Sequence, residues 1–388
     1  MSSTLIVGGG LAAQRCAEAL RRQGEEGPIT IICSEPHAPY DRPPLSKESL
    51  KAEEAPDTSF RPPEWYEEKN ITLVIGDPAT DLETGSKTVW TSSGSQYSAD
   101  RVLLATGADA RSIPQFEGFL NSQVLRSRAD AELLSEAIGE GKRLAVIGAG
   151  FIGLEAASTA RSLGAEVTVV EMEPIPLRGL LGAELGGWLV DWHRKEGVDV
   201  RCGIAVESIR GDRVAEALVL SDGSEIEFDH LLIAVGAKPN TEWLASSGLD
   251  IANGVRCDEN GRTEAEGIWA AGDMARPWNA HRGDHHRAEH WEAAAAQGRT
   301  VANDMLGLEP PKQPMHSFWS DMHGVRLQHL GHPVEGAVLE IDGDLDACDF
   351  EAVWTLDGVP TAAMAVGRPR SVPALRKMFE ESTAVKGI

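Results

Sequence analysis

Short, uniformly apolar runs that end in glycines, followed by stretches with helical spacing, dominate the first two-thirds of the chain. Residues 4–7 are such a run, reading into Gly8, Gly9, Gly10, Leu11, Ala12 and Ala13, and helical spacing of small and apolar positions continues to about Arg22. A second run at 29–33 leads to Glu35. Runs without polar alternation mark strands buried on both faces of a parallel sheet. Residues 71–74, 88–91 and 96–98 read as short strands between Gly and Ser turns, and 100–108, DRVLLATGA, closes the unit. The order then returns. Residues 144–155, LAVIGAGFIGLE, give strand, glycine turn and helix again; 166–170 is the next strand, ending at Glu171; 198–202, 217–221 and 225–228 form a second meander; 229–237, DHLLIAVGA, repeats the closing phrase.

The offset is constant, since Gly8 to Gly148 and Gly10 to Gly150 are both 140 residues. In such a fingerprint the first glycine permits a tight turn, the second lets backbone approach a pyrophosphate, and the third (Gly153, with Ala13 in the first copy) sets the spacing of helix and strand. Unpaired N–H groups at the helix start face the anion. Glu35, twenty-five residues after Gly10, and Glu171, twenty-one after Gly150, stand where a carboxylate accepts both hydroxyls of an adenosine ribose. A solvated glutamate at a strand end is the plainer alternative for each. One fingerprint alone is weak evidence, but two mononucleotide-binding folds in tandem have two dinucleotides as natural ligands.

Residues 39–47, PYDRPPLSK, have no period and read as loop until Ser46, which can cap a short helix; three prolines fix its path. The loop can aim Arg42 and Lys47 at a dinucleotide, or be a solvated basic loop. Residues 268–271 form a further buried strand ending at Gly272 and Asp273, where Asp273 either binds a ligand hydroxyl or caps the turn. A helix is predicted over 289–305, opening with Glu289, His290 and Trp291, and its start would aim positive potential at an electron-rich ring. His281, His285, His286 and His290 precede it, but their spacing suits a loop and no acid or cysteine set joins them, so no metal site is expected. Residues 307–314 look like a linker. Strand-like runs at 325–330, 336–341, 350–355 and 361–366 and a helix over 372–381 predict a small α+β domain.

Composition narrows the partners. A net charge of -24, from 36 basic and 60 acidic residues, argues against nucleic acid or anionic membrane. Apolar stretches break before the roughly 18 residues of a membrane span, and strand-like sequence begins by Thr4 with no basic leader, so no targeting segment is expected. Five scattered cysteines without a CxxC pair fit a reducing cytoplasm. At 388 residues, two or three domains are expected.

The set GGGLAA, PYDRPPLSK, LLATGA, VIGAGFIGLE, AVGAKPN, IWAAGD, the EHW helix start and FWSD resembles, nearly end to end, the FAD-dependent, NADH-using ferredoxin reductases that serve Rieske-type ring-hydroxylating dioxygenases and some cytochrome P450 systems. The resemblance implies an α/β fold with two tandem Rossmann-like domains, the second inserted in the first, plus the small C-terminal α+β domain. FAD would occupy 1–110 and 235–310, NADH 111–234, and 311–388 would be the C-terminal domain. It implies that Arg42 and Lys47 contact FAD, with Lys47 near the reactive N5 and paired to Glu155 as a tuning pair. Arg126 would touch FAD, Ala79 would offer a backbone contact to adenine, Asp273 would bind the ribityl chain, and Glu289 and Trp291 would lie at the flavin's pyrimidine side. Trp319 would pack by the flavin or be a core tryptophan. Ala105, Thr106 and Gly107 are expected at FAD, and Phe151, Ile152 and Gly236 at NADH.

The implied reaction is hydride transfer from NADH to FAD and release of single electrons to a [2Fe-2S] ferredoxin, by a monomer or homodimer. Glu171 predicts NADH over NADPH because a carboxylate repels a 2'-phosphate; Met172 and Glu173 follow it, and Arg178 is the complicating cation. The family often has a glutamine and an aromatic after FWSD, where this chain has Met322 and His323. Arg368 and Arg370 either meet an acidic ferredoxin or are ordinary surface residues. Alternatives are a rubredoxin, P450-ferredoxin, quinone or dye reductase, and an NADH-gated flavoprotein with an association role.

Overall fold

The computed structural model describes residues 1–51, 56–279, 283–311 and 315–386, with side chains as far as Glu381. The chain forms two compact units, one of Met1–Asp41, Asp57–Asp109 and Ala237–Pro314, the other of Arg42–Pro56, Ala110–Gly236 and Met315–Ile388.

The first unit is built on a parallel sheet in the order Ile268–Ala270, Arg101–Leu104, Thr4–Val7, Ile29–Ile32 and Ile71–Val74. Thr4–Val7 and Arg101–Leu104 are buried at every residue, which is why their sequences carry no polar alternation. The chain leaves Thr4–Val7 toward Ile29 on one side and returns as Arg101–Leu104 on the other. Crossovers in opposite directions open a crevice beyond the strand ends, and Gly8 and Ala105 sit there. Helix Leu11–Arg22 packs on helix Trp291–Met305 through small residues: a Cβ on Gly298 would stand 2.4 Å from the Ala12 carbonyl oxygen.

The second unit repeats this plan with Asp199–Cys202, Glu166–Glu171, Arg143–Ile147, His230–Ile233 and Ser122–Gln123 in order. Helix Phe151–Ser162 follows the glycine turn. The same unit holds an antiparallel sheet in the order Ser317–Met322, Val325–Gly331, Val359–Val366, Asp349–Leu356 and Val338–Asp344. Helix Val372–Lys386 lays Val372, Leu375 and Phe379 against Leu330, Ala363 and Ala365.

Three sequence expectations shift. In each copy the first strand assigned to the meander, Ile71–Val74 or Asp199–Cys202, joins the parallel sheet instead. The meanders begin with Ala79–Glu83 and Val206–Gly211, whose mixed polar sequences gave no apolar run. The helix predicted from Glu289 starts at Trp291, because His290 is extended at φ -122, ψ 144. Strand Ser317–Met322 and helix Arg178–Lys195 went unread; the helix contains Gly179, Gly182, Gly186 and Gly187, a composition that argues against helix.

Candidate functional site

In the first unit the glycine turn is forced by sterics. Gly8 has φ +125, and a Cβ there would lie 2.0 Å from the Ala105 carbonyl oxygen. Gly10, by contrast, would point a Cβ into open space, with nothing within 4 Å. It also begins helix Leu11–Arg22, which no side chain caps. Open space beside uncapped N–H groups at the start of a 12-residue helix suits a pyrophosphate. Glu35 follows the next strand and accepts a 2.6 Å hydrogen bond from the Tyr40 hydroxyl, a partner that sequence reasoning did not name. These features fit a dinucleotide.

Of the other residues expected at this site, Ala79, Ala105, Thr106, Gly107, Asp273, Glu289 and Trp291 fall within the same unit, whereas Arg42, Lys47, Arg126 and Trp319 belong to the second. Ala105, Thr106 and Gly107 follow Arg101–Leu104; the Thr106 hydroxyl donates to the Asn240 carbonyl at 2.8 Å. Ala79 opens its strand. The Asp273 carbonyl accepts from Arg287 Nη1 at 3.1 Å, and Arg287 also pairs with Glu289. Trp291 donates from Nε1 to Asp41 Oδ1 at 2.7 Å, which fixes the indole at the helix start.

The second turn repeats the geometry. Gly148 has φ +102, and its Cβ would meet the Ala234 carbonyl oxygen at 2.4 Å. Gly150 would meet nothing nearer than that same oxygen at 4.0 Å, and no side chain caps Phe151–Ser162. Gly153 is needed for close packing: a Cβ would fall 2.3 Å from the Gly148 carbonyl oxygen. A cleft of about 460 Å³ lies over this turn, lined by Gly148, Ala149, Gly150, Glu171, Met172 and Gly236 among others. One Glu171 oxygen accepts from the Ala149 N–H at 2.8 Å and the other from Glu173 N–H at 2.9 Å. This, too, fits a dinucleotide with a ribose-binding carboxylate. Ile152 is exposed on the first turn of the helix, and Phe151 packs on Phe318 with ring centroids 4.9 Å apart. Arg178 is exposed at the head of its helix, outside the cleft lining.

Lys47 and Glu155 meet in the interior of the second unit. Lys47 Nζ lies 2.8 Å from Glu155 Oε2, and both residues are buried. A buried ion pair persists only when its remaining polar atoms are satisfied. Here the carboxylate also accepts from Ser46 Oγ at 2.6 Å and Ser320 Oγ at 2.5 Å. Sequence named Ser46 only as a helix cap, whereas its hydroxyl turns to Glu155, and Ser320 was not singled out at all; hydroxyls from such distant segments left no pattern to find. Arg42 Nη1 donates to the Arg126 carbonyl at 2.6 Å, so both sit beside the same segment. Trp319 lies opposite Gln328 in the C-terminal sheet, half-buried.

The departures after FWSD are packed inward. Met322 is buried, with its sulfur 3.3 Å from His193 Nε2, and His323 Nε2 lies 3.0 Å from His193 Nδ1. Burial, with the His323 ring adjoining, lowers the His193 pKa to about 3, and burial lowers that of His323 to about 4. Arg368, half-buried, is held by Asp349 at 2.5 Å and Asp342 at 3.2 Å, and Arg370 is exposed. His285 takes a 3.1 Å hydrogen bond from Arg256 Nε; His281 lies outside the described residues.

The pyridine nucleotide-disulphide oxidoreductase family matches residues 2–298, and the reductase C-terminal family matches 317–387. The chain belongs to the pyridine nucleotide-disulphide oxidoreductases. This oxidoreductase is 34% identical over 391 residues to the ferredoxin–NAD(+) reductase subunit of the benzene 1,2-dioxygenase system of Pseudomonas putida, covering 98% of this chain and 93% of that one. Rhodocoxin reductase of Rhodococcus erythropolis is 32% identical over 97% of this chain and 89% of its own. Among solved structures, the covalent putidaredoxin reductase–putidaredoxin complex matches with a TM-score of 0.94 at 29% identity, covering 98% of this chain and 93% of that one. The family and the α/β fold therefore agree with the sequence resemblance. Among the described residues, no helix of the oxidoreductase is long and apolar enough to cross a membrane.

Proposed function

We propose that this oxidoreductase is an NADH:ferredoxin reductase that feeds a Rieske-type aromatic-ring dioxygenase through a [2Fe-2S] ferredoxin in the cytoplasm, as a monomer or homodimer. The ferredoxin–NAD(+) reductase subunit named above, 34% identical to this chain, supports the reaction class. In this reading 1–110 and 235–310 hold FAD through Gly8, Gly10, Leu11, Ala12 and Glu35, and 111–234 hold NADH through Gly148, Gly150 and Glu171. A flavin, when bound, supplies the conversion of a hydride's electron pair into single electrons. The protein's own residues bind the two dinucleotides, orient them and hold Lys47 beside Glu155.

The observation that carries the reading is the buried pair that Lys47 makes with Glu155, on the helix of the second turn. It stands in a family whose name refers to disulphide chemistry, yet all five cysteines here are free thiols. Burial pushes the Cys16, Cys33 and Cys257 thiols up to about 12, which leaves them poor nucleophiles. Electrons therefore need an outlet other than a cysteine pair, and a one-electron protein acceptor provides it.

The test is NADH-dependent reduction of cytochrome c by purified holoenzyme with and without an added [2Fe-2S] ferredoxin. Fast turnover that requires the ferredoxin is expected. Slow bleaching with a persistent charge-transfer band, a change in molecular size and no response to ferredoxin would instead mark an NADH-gated association protein.

A further inference from the structure

The ammonium of Lys47 has three protons, and among the described residues the second unit accounts for two of them. One goes to Glu155 Oε2 at 2.8 Å and one to the Pro43 carbonyl at 3.0 Å. The direction of the third is thereby fixed, provided that Glu155 does not rotate. Glu155 Oε2 is shared by Lys47 and Ser46, the latter at 2.6 Å, whereas Oε1 is held by the Ser320 hydroxyl at 2.5 Å. Ser320 is 1% exposed, on strand Ser317–Met322 of the C-terminal sheet.

The clamp is repeated one helical turn on. On helix Phe151–Ser162, Glu155 receives Ser320, and three residues later Ser158 Oγ receives the His323 N–H at 2.7 Å. Thr159 Oγ1, on the same helix, donates to the Ser46 carbonyl at 2.9 Å. One helix thus fastens the Lys47 segment and the C-terminal strand to the same carboxylate.

We propose that Ser320 is a positioning residue for the NADH half-reaction: by holding Glu155 Oε1 it sets the direction of the Lys47 ammonium, so the C-terminal domain contributes to flavin reduction and not only to meeting an acceptor. The inference rests on the proposed function, in which Lys47 tunes the flavin. Removing the hydroxyl leaves a buried carboxylate oxygen without its donor and frees the carboxylate to turn.

The experiment compares holoenzyme with Ser320→Ala, Ser320→Thr, Lys47→Met and the double variant Ser320→Ala/Lys47→Met. The limiting rate of flavin reduction by NADH and its apparent Kd are read in stopped flow, and the flavin midpoint potential by dye-coupled titration. Ser320→Ala is expected to lower the limiting rate about tenfold with the Kd for NADH within about twofold, and to shift the potential; Ser320→Thr restores both. In the double variant the alanine adds nothing to the loss caused by Lys47→Met, because the serine acts through the lysine. If Lys47→Met slows reduction while Ser320→Ala leaves rate and potential at their parent values, the positioning role is wrong and the tuning role of Lys47 stands. If Lys47→Met itself changes neither, the tuning reading fails first. If Ser320→Ala does not retain FAD, Ser320→Cys, which keeps the volume with a weak donor, is measured in its place against the same expectations.

Discussion

The two glycine turns are nearly the same object built twice, and they differ where their tasks would differ. In each, the first glycine has positive φ because a carbonyl from the closing strand, Ala105 or Ala234, occupies the space of a Cβ. Each helix starts uncapped. The differences begin with the acid. Glu35 takes the hydroxyl of Tyr40, a side chain from PYDRPPLSK, whereas Glu171 takes two backbone N–H groups at the lip of an open cleft. They continue five residues after the second glycine, where the 140-residue offset sets Glu155 against Arg15. Arg15 pairs with Glu18 at 2.8 Å and is partly exposed; Glu155 is buried with three donors. The cradle is generic, and what the helix carries one turn in makes a copy specific.

The comparison is broken most severely at the first glycine of either turn and least at the second. Gly8→Ala is expected to cost about 4 kcal/mol, from a non-glycine residue at positive φ and a Cβ 2.0 Å from backbone. It should yield protein without flavin, read from the visible absorption after purification and from thermal unfolding. Gly150→Ala meets no protein atom closer than 4.0 Å, so its melting temperature stays near the parent's while the Kd for NADH rises about tenfold. Equal losses of stability in the two variants would show that the second turn is not an open cradle.

Lys47→Met tests the contrast at the helix. A carboxylate left in a buried site without its counter-ion costs about 3 kcal/mol, and flavin reduction should slow with it. At the corresponding place in the first copy, Arg15→Met should change stability by only about 1 kcal/mol, since it removes one partly exposed ion pair and two cation–ring contacts, over Phe60 at 5.5 Å and over Trp291 at 5.8 Å. The two measurements are thermal unfolding for both variants and stopped-flow reduction for Lys47→Met.

The acids give a smaller and more selective effect. Glu171→Ala should raise the NADPH to NADH ratio of kcat/KM about tenfold, or about 1.4 kcal/mol, by removing the charge that opposes a 2'-phosphate. Glu35→Ala should leave that ratio unchanged and lower flavin retention instead. A change of nicotinamide preference in the Glu35 variant would reverse the assignment of the two copies.

How much of this was legible follows from what each feature leaves in the sequence. The parallel strands were readable because burial on both faces favours unbroken apolar runs, as in Thr4–Val7, where only Thr4 is polar. The turns were readable because only glycine tolerates the backbone at Gly8 and Gly148. The meander strands Ala79–Glu83 and Val206–Gly211 were missed because one polar face dilutes the apolar signal, and helix Arg178–Lys195 because packing overrode four glycines. Ser46, Ser320 and Tyr40 were invisible as site residues. A serine carries no pattern, and its partner lies 109 or 165 residues away for the two that meet Glu155.

The last difference is a matter of pH. The second copy carries His193, fully buried and hydrogen-bonded to His323, on helix Arg178–Lys195. Both imidazoles have folded-state pKa values below the usual 6.5, at about 3 and about 4. The unfolded chain therefore takes up protons below 6.5 that the folded chain refuses until it reaches those lower values. Stability must fall as pH drops through that window, and at pH 7, where both rings are mostly neutral in either state, the term is small. His193→Gln should thus leave the denaturant midpoint at pH 7 within about 1 kcal/mol of the parent, since glutamine can still hydrogen-bond His323. Between pH 6 and pH 4.5 the variant's stability should decline less steeply, by about one proton per molecule. Parallel curves for parent and variant across that range would mean that the imidazole is already protonated in the fold, with the Met322 sulfur and the His323 ring accepting its protons.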